Sequence, residues 1–149
     1  MRAEGDGGRR GDSFPEPSLA DLEAVAAFTE ALCGSDMDLG HWAGGASARE
    51  GYPQVPWFQT SNLISQWEQA LYERNIITSY GEDGWFDRMH AFSAEPDSLA
   101  SADLLTIRKV LTTIVRGERF CDGHIQGMFS NGVAQAAMAR LSKLIAIRR

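Results

Sequence analysis

The sequence predicts a mostly α fold, a single compact domain of five or six helices with a long irregular loop after the first helix. Three observations carry this. Apolar residues recur at helical spacing in stretches near 22–32, 63–71, 104–115 and 133–145. One short β-favouring run, IITSY at 76–80, stands without an obvious partner to build a sheet. A chain of 149 residues, 44% hydrophobic and 23% charged, suits one ordinary domain and is too short for two.

Residues 1–17 (MRAEGDGGRRGDSFPEP) carry too little apolar surface to offset the entropy of ordering. They read as a disordered tail, with Arg9 and Arg10 in solvent, and 18–149 reads as the helical domain. Ser18 followed by Asp21 is a capping-box pattern with Asp in place of Glu, so the first helix starts there. Leu22, Val25, Ala26, Thr29 and Leu32 share one face, with Phe28 at its edge, and Gly34 stops the helix after Cys33. Glycines 40, 44, 45 and 51 with Pro53 and Pro56 then break any period, which defines the irregular 34–56 loop. A loop this long suggests function, or simply slack chain. Tyr52, Val55, Trp57 and Phe58 are expected to pin its end to the core, an aromatic ligand site being the alternative.

A second helix follows from residue 60 or 61, with Leu63, Ile64, Trp67, Ala70 and Leu71 inward and a stop near Asn75. The 76–80 run reads as a packed connection. Trp85, Phe86, Met89 and Phe92 suggest a short helix with an aromatic face, ended before Pro96. The third long helix spans about 101–116. Leu104, Ile107, Leu111, Ile114 and Val115 form its buried stripe, while Lys109, Thr112, Thr113 and Arg116 face away. Arg108 flanks the stripe and must snorkel or find a carboxylate, because a lone buried guanidinium is costly. Gly117 breaks this helix, and Asp122 is placed to cap the next, 124–130. Asn131-Gly132 marks another break. The last helix runs to about 147 with Val133, Ala137, Met138, Leu141, Leu144 and Ile145 inward and Arg140 and Lys143 outward.

Charge is divided along the chain. Residues 1–100 hold 17 Asp/Glu against 6 Lys/Arg, a balance of −11, and 101–149 hold 3 against 8, a balance of +5. The plain reading is that the two parts attract and pack; the sharper one is that the basic part meets a phosphate, nucleic acid or acidic partner. A pI near 5.0 argues against dedicated non-specific DNA binding. Two distant cysteines, Cys33 and Cys121, make no disulfide scaffold, so reduced thiols in a bacterial cytoplasm are expected. No apolar run reaches the roughly 18 residues of a membrane span, and no leader pattern opens the chain. A cytoplasmic protein with no membrane partner is therefore the expectation.

The densest group of reactive residue types lies at 116–124. Cys121, before a helix N-terminus and near Arg119 and His124, has features that lower a thiol pKa, although Asp122 opposes them. Cys121 and His124 also have Cys-x-x-His spacing, but Cys33, His41 and His90 offer no second pair, so no metal is assigned. Arg116, Arg119 and the amides around Gly123 suit an anion, against which Asp122 competes as a cap. A fourth reading presents Arg119 and His124 to a protein partner, with Phe120 as anchor. The structural reading puts Phe120 in the core and pairs Arg119 with a carboxylate such as Asp103. A separate basic surface of Lys109, Arg140 and Lys143, with Arg116, is the candidate for nucleic acid. No phosphate loop, dinucleotide fingerprint or HExxH occurs. The expectation is no catalytic residue and no cofactor. Glu82, Asp83 and Asp87 read as exposed turn acids, His90 as a packed core histidine, and Trp42, Trp57, Trp67 and Trp85 as core.

The run LLTIRKVLTTIVRGERFCDGHIQGMFSNGVAQAAMARL, with LYERNIITSYGEDGWFD upstream, resembles a bacterial domain-of-unknown-function family of short helical proteins with an IVRxxRFxxGH signature. The resemblance covers about 57–145. It implies a compact helical domain with a polar signature at Arg116, Arg119, Phe120, Gly123 and His124, and it implies no activity. The preferred function is a non-catalytic interaction or regulatory module with a protein partner, using the 116–124 corner and the basic outer side of the last helix. The alternatives are a small enzyme or anion-binding protein using Arg119, Cys121 and His124, and nucleic-acid binding through the basic C-terminal helices. Oligomeric state is open.

Overall fold

Ser18 caps the first helix as its pattern requires. Its hydroxyl accepts from the Asp21 N–H and the Asp21 carboxylate accepts from the Ser18 N–H, each at 3.0 Å. The computed structural model describes residues 14–44 and 55–148. The first helical stretch is two helices, α1 (Leu19–Ala26) and α2 (Thr29–Leu32), broken at Ala27 and Phe28. Leu22, Val25 and Leu32 are buried, so the break leaves the inward face in register.

The expected irregular segment contains a small hairpin. Strands β1 (Gly40–Ala43) and β2 (Trp57–Thr60) pair antiparallel, with Trp42 opposite Phe58. Phe58 is buried, whereas Val55 and Trp57 are exposed, so of these expected anchors only Phe58 pins the segment inward. Residue 52 lies outside the described residues, as do Arg9 and Arg10. Helix α3 (Asn62–Glu73) starts at Ser61, whose hydroxyl takes the Ile64 N–H, and buries Ile64, Trp67 and Leu71. Asn75 ends it in the left-handed region, φ 63°, and the Ile76 N–H returns to the Leu71 carbonyl.

Residues 76–80 are a packed connection, with Ile76, Ile77 and Thr78 buried. Helix α4 (Trp85–Ala94) buries Trp85 and Met89, but Phe86 and His90 are exposed, against expectation. The reason is helical phase: 85 and 89 lie on the inward face, and 86 and 90 one residue round. A 3-10 helix (Pro96–Ser101) leads to α5 (Leu104–Gly117), capped by Asp103 through the Thr106 N–H. Helices α6 (His124–Ser130) and α7 (Val133–Arg148) follow, separated by Gly132 at φ 89°, with the Asn131 side chain accepting the Val133 N–H. Among the described residues no helix is long and apolar enough to cross a membrane.

Helix α5 is the central element, covered on nearly every side from Ile107 to Val115. Helix α7 packs against it and against α1, burying Val133, Ala134, Ala137, Met138, Leu141 and Ile145. Thr112 and Thr113, expected outside, are buried with both hydroxyls satisfied. Thr112 Oγ1 accepts the Thr78 N–H and donates to the Arg108 carbonyl. Thr113 Oγ1 accepts the Trp85 indole N–H at 2.9 Å and donates to the Lys109 carbonyl.

Arg108 finds its carboxylate and much more. Its residue is 3% exposed. Nε donates to the Ile76 carbonyl (3.1 Å), Nη2 to the carbonyls of Asn75 (3.2 Å) and Pro15 (3.1 Å), and Nη1 to Glu16 (3.3 Å). Residues 14–16 thus engage the domain before Ser18, where sequence placed only a tail; Phe14 also packs against the core. Replacing Arg108 with Ala leaves the Ile76 and Asn75 carbonyls without their donor. The expected loss is about 2–4 kcal/mol of stability, measured by urea unfolding; an unchanged midpoint would show that the clamp contributes nothing.

Candidate functional site

The turn between α5 and α6 is built by Glu118. Its two carboxylate oxygens accept the N–H groups of Gly123 (2.9 Å) and Ile125 (2.8 Å), at the start of α6. Glu118 therefore replaces Asp122 as the cap of this helix. Gly123 occupies the cap position at φ 88°, and the Asp122 side chain is exposed. The anion-binding reading needed these amides free, and Glu118 already holds two of them.

His124 is wedged over the end of α5. A Cβ built on Gly117 would lie 2.3 Å from His124 Cδ2 and 2.5 Å from Nε2, so the ring rests on a bare glycine backbone. Nε2 is buried without a hydrogen-bond partner. Burial lowers the His124 pKa, with the Glu118 charge and the Thr113 carbonyl pulling the other way. The neutral ring is favoured in the fold. Its stabilising contribution is present above the ordinary histidine value of 6.5 and fades as pH falls below it.

Cys121 is exposed, and its Sγ lies 3.9 Å from the Asp122 carbonyl. His124 holds its ring on Gly117, so the turn does not join thiol and imidazole as a nucleophile–base pair. Among the described residues no three His, Cys, Asp or Glu side chains form a metal-ligating group. Three surface cavities, of about 900, 190 and 360 Å³, lie elsewhere, and none of the three is lined by residues 116–124.

Arg119 is exposed, with its guanidinium 5.9 Å from the Tyr72 ring on α3. It does not pair with Asp103, which is occupied as the α5 cap. Phe120, placed in the core by the structural reading and outside as an anchor by the contact reading, is 85% exposed. The hairpin reaches over the same turn. A Cβ on Gly123 would come 2.8 Å from Trp42 Cζ2, and the Trp42 indole N–H donates to Gln126 at 3.3 Å. Trp42 is 50% exposed and meets Phe58 edge-on, so neither Trp42 nor Trp57 joins Trp67 and Trp85 in the core. The sequence reading missed Trp42, Tyr72, Gln126, Glu68 and the capping role of Glu118.

Glu68, one turn before Tyr72 on α3, faces Glu118. Burial first, and the Glu118 charge second, raise its carboxyl pKa. The candidate basic residues are largely engaged within the molecule. Lys109 pairs with Glu82 and lies 5.9 Å from the Trp85 ring. Arg116 sits between the rings of Phe14 (5.8 Å) and Tyr80 (5.9 Å). Arg140 donates through Nε to the Ala102 carbonyl at 2.8 Å, and Lys143 stays exposed.

Compared with known proteins, residues 17–146 match the model of a family of unknown function (DUF6508), a longer span than the 57–145 of the resemblance. No curated protein and no solved structure gives a significant match.

Two outcomes follow from this geometry. Gly117→Ala improves helix propensity by about 1 kcal/mol yet destabilises the protein by about 1–3 kcal/mol net, because the pinned imidazole must move; a rise in thermal midpoint would refute the wedge. Glu68 binds its proton more tightly folded than unfolded, so its carboxylate works against the fold once pH rises through the raised value. Glu68→Gln should raise the melting temperature at pH 7, with the gap to wild type closing as pH falls toward 4.5, the ordinary glutamate value; an unchanged melting temperature at pH 7 would show that the carboxylate costs the fold nothing.

Proposed function

We propose that this chain, which belongs to the DUF6508 family of unknown function, is a non-catalytic docking module whose contact surface is the turn between α5 and α6. One observation carries the reading: Phe120 stands 85% exposed on a turn whose backbone is tightly held. Glu118 fixes the amides of Gly123 and Ile125, and His124 locks the turn onto Gly117. A rigid turn that projects a large apolar ring is pre-organised for contact, because little entropy is lost when a partner covers it.

The surroundings support the same reading. Arg119 stands beside Phe120, half-exposed Trp42 lies against Gly123, and Tyr72 lies under Arg119. Tyr, Trp, Phe and Arg are the residue types enriched in interface centres. The partner in this reading is a protein that offers an apolar pocket for Phe120 and an acceptor for Arg119. A bacterial cytoplasmic setting suits the two exposed free thiols, Cys33 and Cys121. Exposed Lys143 on α7 offers the basic outer side a contact of its own.

The reading is tested by affinity capture from the native host with wild type, Phe120→Ser and Arg119→Ala. Captured partner should fall about tenfold or more for Phe120→Ser, as expected for a central anchor, with the melting temperature within about 1 °C of wild type, as an exposed site requires. Equal capture by all three proteins would end the proposal.

A further inference from the structure

Away from the proposed docking turn, the N-terminal segment covers a second surface of the domain. The chain's own Phe14, Pro15 and Glu16 lie across a groove between α5 and the 75–80 connection. Phe14 packs under the Arg116 guanidinium, whose other neighbour is Tyr80. Arg108 takes the Pro15 carbonyl with Nη2 and the Glu16 carboxylate with Nη1. Arg108 and Arg116 are eight residues apart on α5, about 80° round the helix, and both reach the segment.

This contact is asymmetric. The Arg108 side chain is 3% exposed, whereas that of Glu16 is 83% exposed. The segment's carboxylate therefore stays hydrated, and detaching it strands no buried anion. Arg108 keeps the Ile76 and Asn75 carbonyls when the segment leaves, and Arg116 keeps the Tyr80 ring. Each arginine thus has partners outside the segment. The groove then offers guanidinium hydrogens and an aromatic-backed cation in fixed positions. Pro15 and Pro17 have no N–H to offer and hold the segment extended.

We propose that this groove is a peptide-binding site for an extended aromatic–proline–acidic segment of a partner protein, and that the chain's own Phe14-Pro15-Glu16 is a tethered competitor that covers it. Arg116 reads the aromatic ring, Arg108 reads the carbonyl and carboxylate of the next two residues, and proline keeps them extended at low entropic loss. The tether gives the internal segment an effective concentration in the millimolar range. An external peptide therefore binds the native chain weakly until the internal segment is weakened or drawn away.

The test uses the full chain and a dye-labelled peptide, acetyl-Phe-Pro-Glu-Pro-Ser amide, followed by fluorescence anisotropy. A Phe14→Ser, Glu16→Ser double variant should bind it at least about tenfold more tightly than wild type, the tethered competitor having been weakened. Adding Arg116→Gln to that variant should abolish the gain, and a scrambled peptide should not bind. Equal binding to wild type and double variant, or no binding to either, overturns the proposal. If the double variant fails to fold, wild type carrying 4-fluorophenylalanine at position 14 replaces it. Its 19F signal should move toward the free-chain position as unlabelled peptide is added, and an immobile signal overturns the proposal. Size-exclusion chromatography of the folded variant should match wild type; a dimer exchanging the segment between copies would overturn the assignment to a separate partner.

Discussion

The fold depends on how one charge is kept inside it. Arg108 sits on the central helix, where burial works against its cationic form and, among the described residues, the Glu16 carboxylate supports it. A guanidinium's pKa lies so far above neutrality that the side chain stays charged even so. A buried cation must therefore be surrounded by acceptors. Three of the four it finds are backbone carbonyls, from residues 15, 75 and 76. The carbonyls of residues 75 and 76 are available because Asn75 turns left-handed and ends α3. The end of α3, the N-terminal segment and the middle of α5 are thus joined at one guanidinium. Asn75 reaches further through its side chain to Asp21 at the start of α1.

The same logic extends along α5. From Ile107 to Val115 the helix is covered on nearly every side and has little solvated face on which to place polar groups. Thr112 and Thr113 resolve this by donating back to the carbonyls four residues earlier and accepting from neighbours. Thr113 takes the indole N–H of Trp85 and so positions α4. At its C-terminal end α5 meets a ring where another helix would meet water: His124 lies on Gly117. With both ends of α5 fixed, the following turn inherits a defined geometry.

Local signals in the sequence were legible and non-local ones were not. Ser18 with Asp21, the stop at Asn75 and the Asn131-Gly132 break each act within a few residues, and each occurs where expected. The apolar stripe of α5 was legible for the same reason. The hairpin was not, because strands of four residues carry almost no period and their pairing spans the loop between them. Glu118 was missed as a cap because its reach to residues five and seven ahead requires the turn to be already folded. Phe14 to Glu16 look like tail by composition, and only the distant Arg108 and Arg116 give them a place. His90 was misplaced by hydrophobic context, which does not report the phase of a short helix, and Phe120 stayed open between core and contact anchor because sequence does not report the direction of a turn.

The 116–124 signature divides by physical role. Glu118, Gly123 and His124 are explained by architecture: a double cap, a left-handed corner under Trp42 and a wedge on Gly117. Arg116 is explained by the two rings it holds together. Phe120 is explained by none of these. Burying a phenylalanine side chain is worth about 1.5–3 kcal/mol, and this one contributes almost none of that to the fold. A serine in its place would leave every hydrogen bond of the turn intact. A single exposed apolar residue is ordinary on a protein surface. An exposed one on a turn held at Gly123, Ile125 and His124, beside Arg119 and a half-exposed Trp42, is a different object. The hydrogen bonds of the turn fix its backbone, and with it the direction in which the Phe120 side chain leaves it. In the docking role proposed above, the buried half of the corner holds the outer half still for a partner.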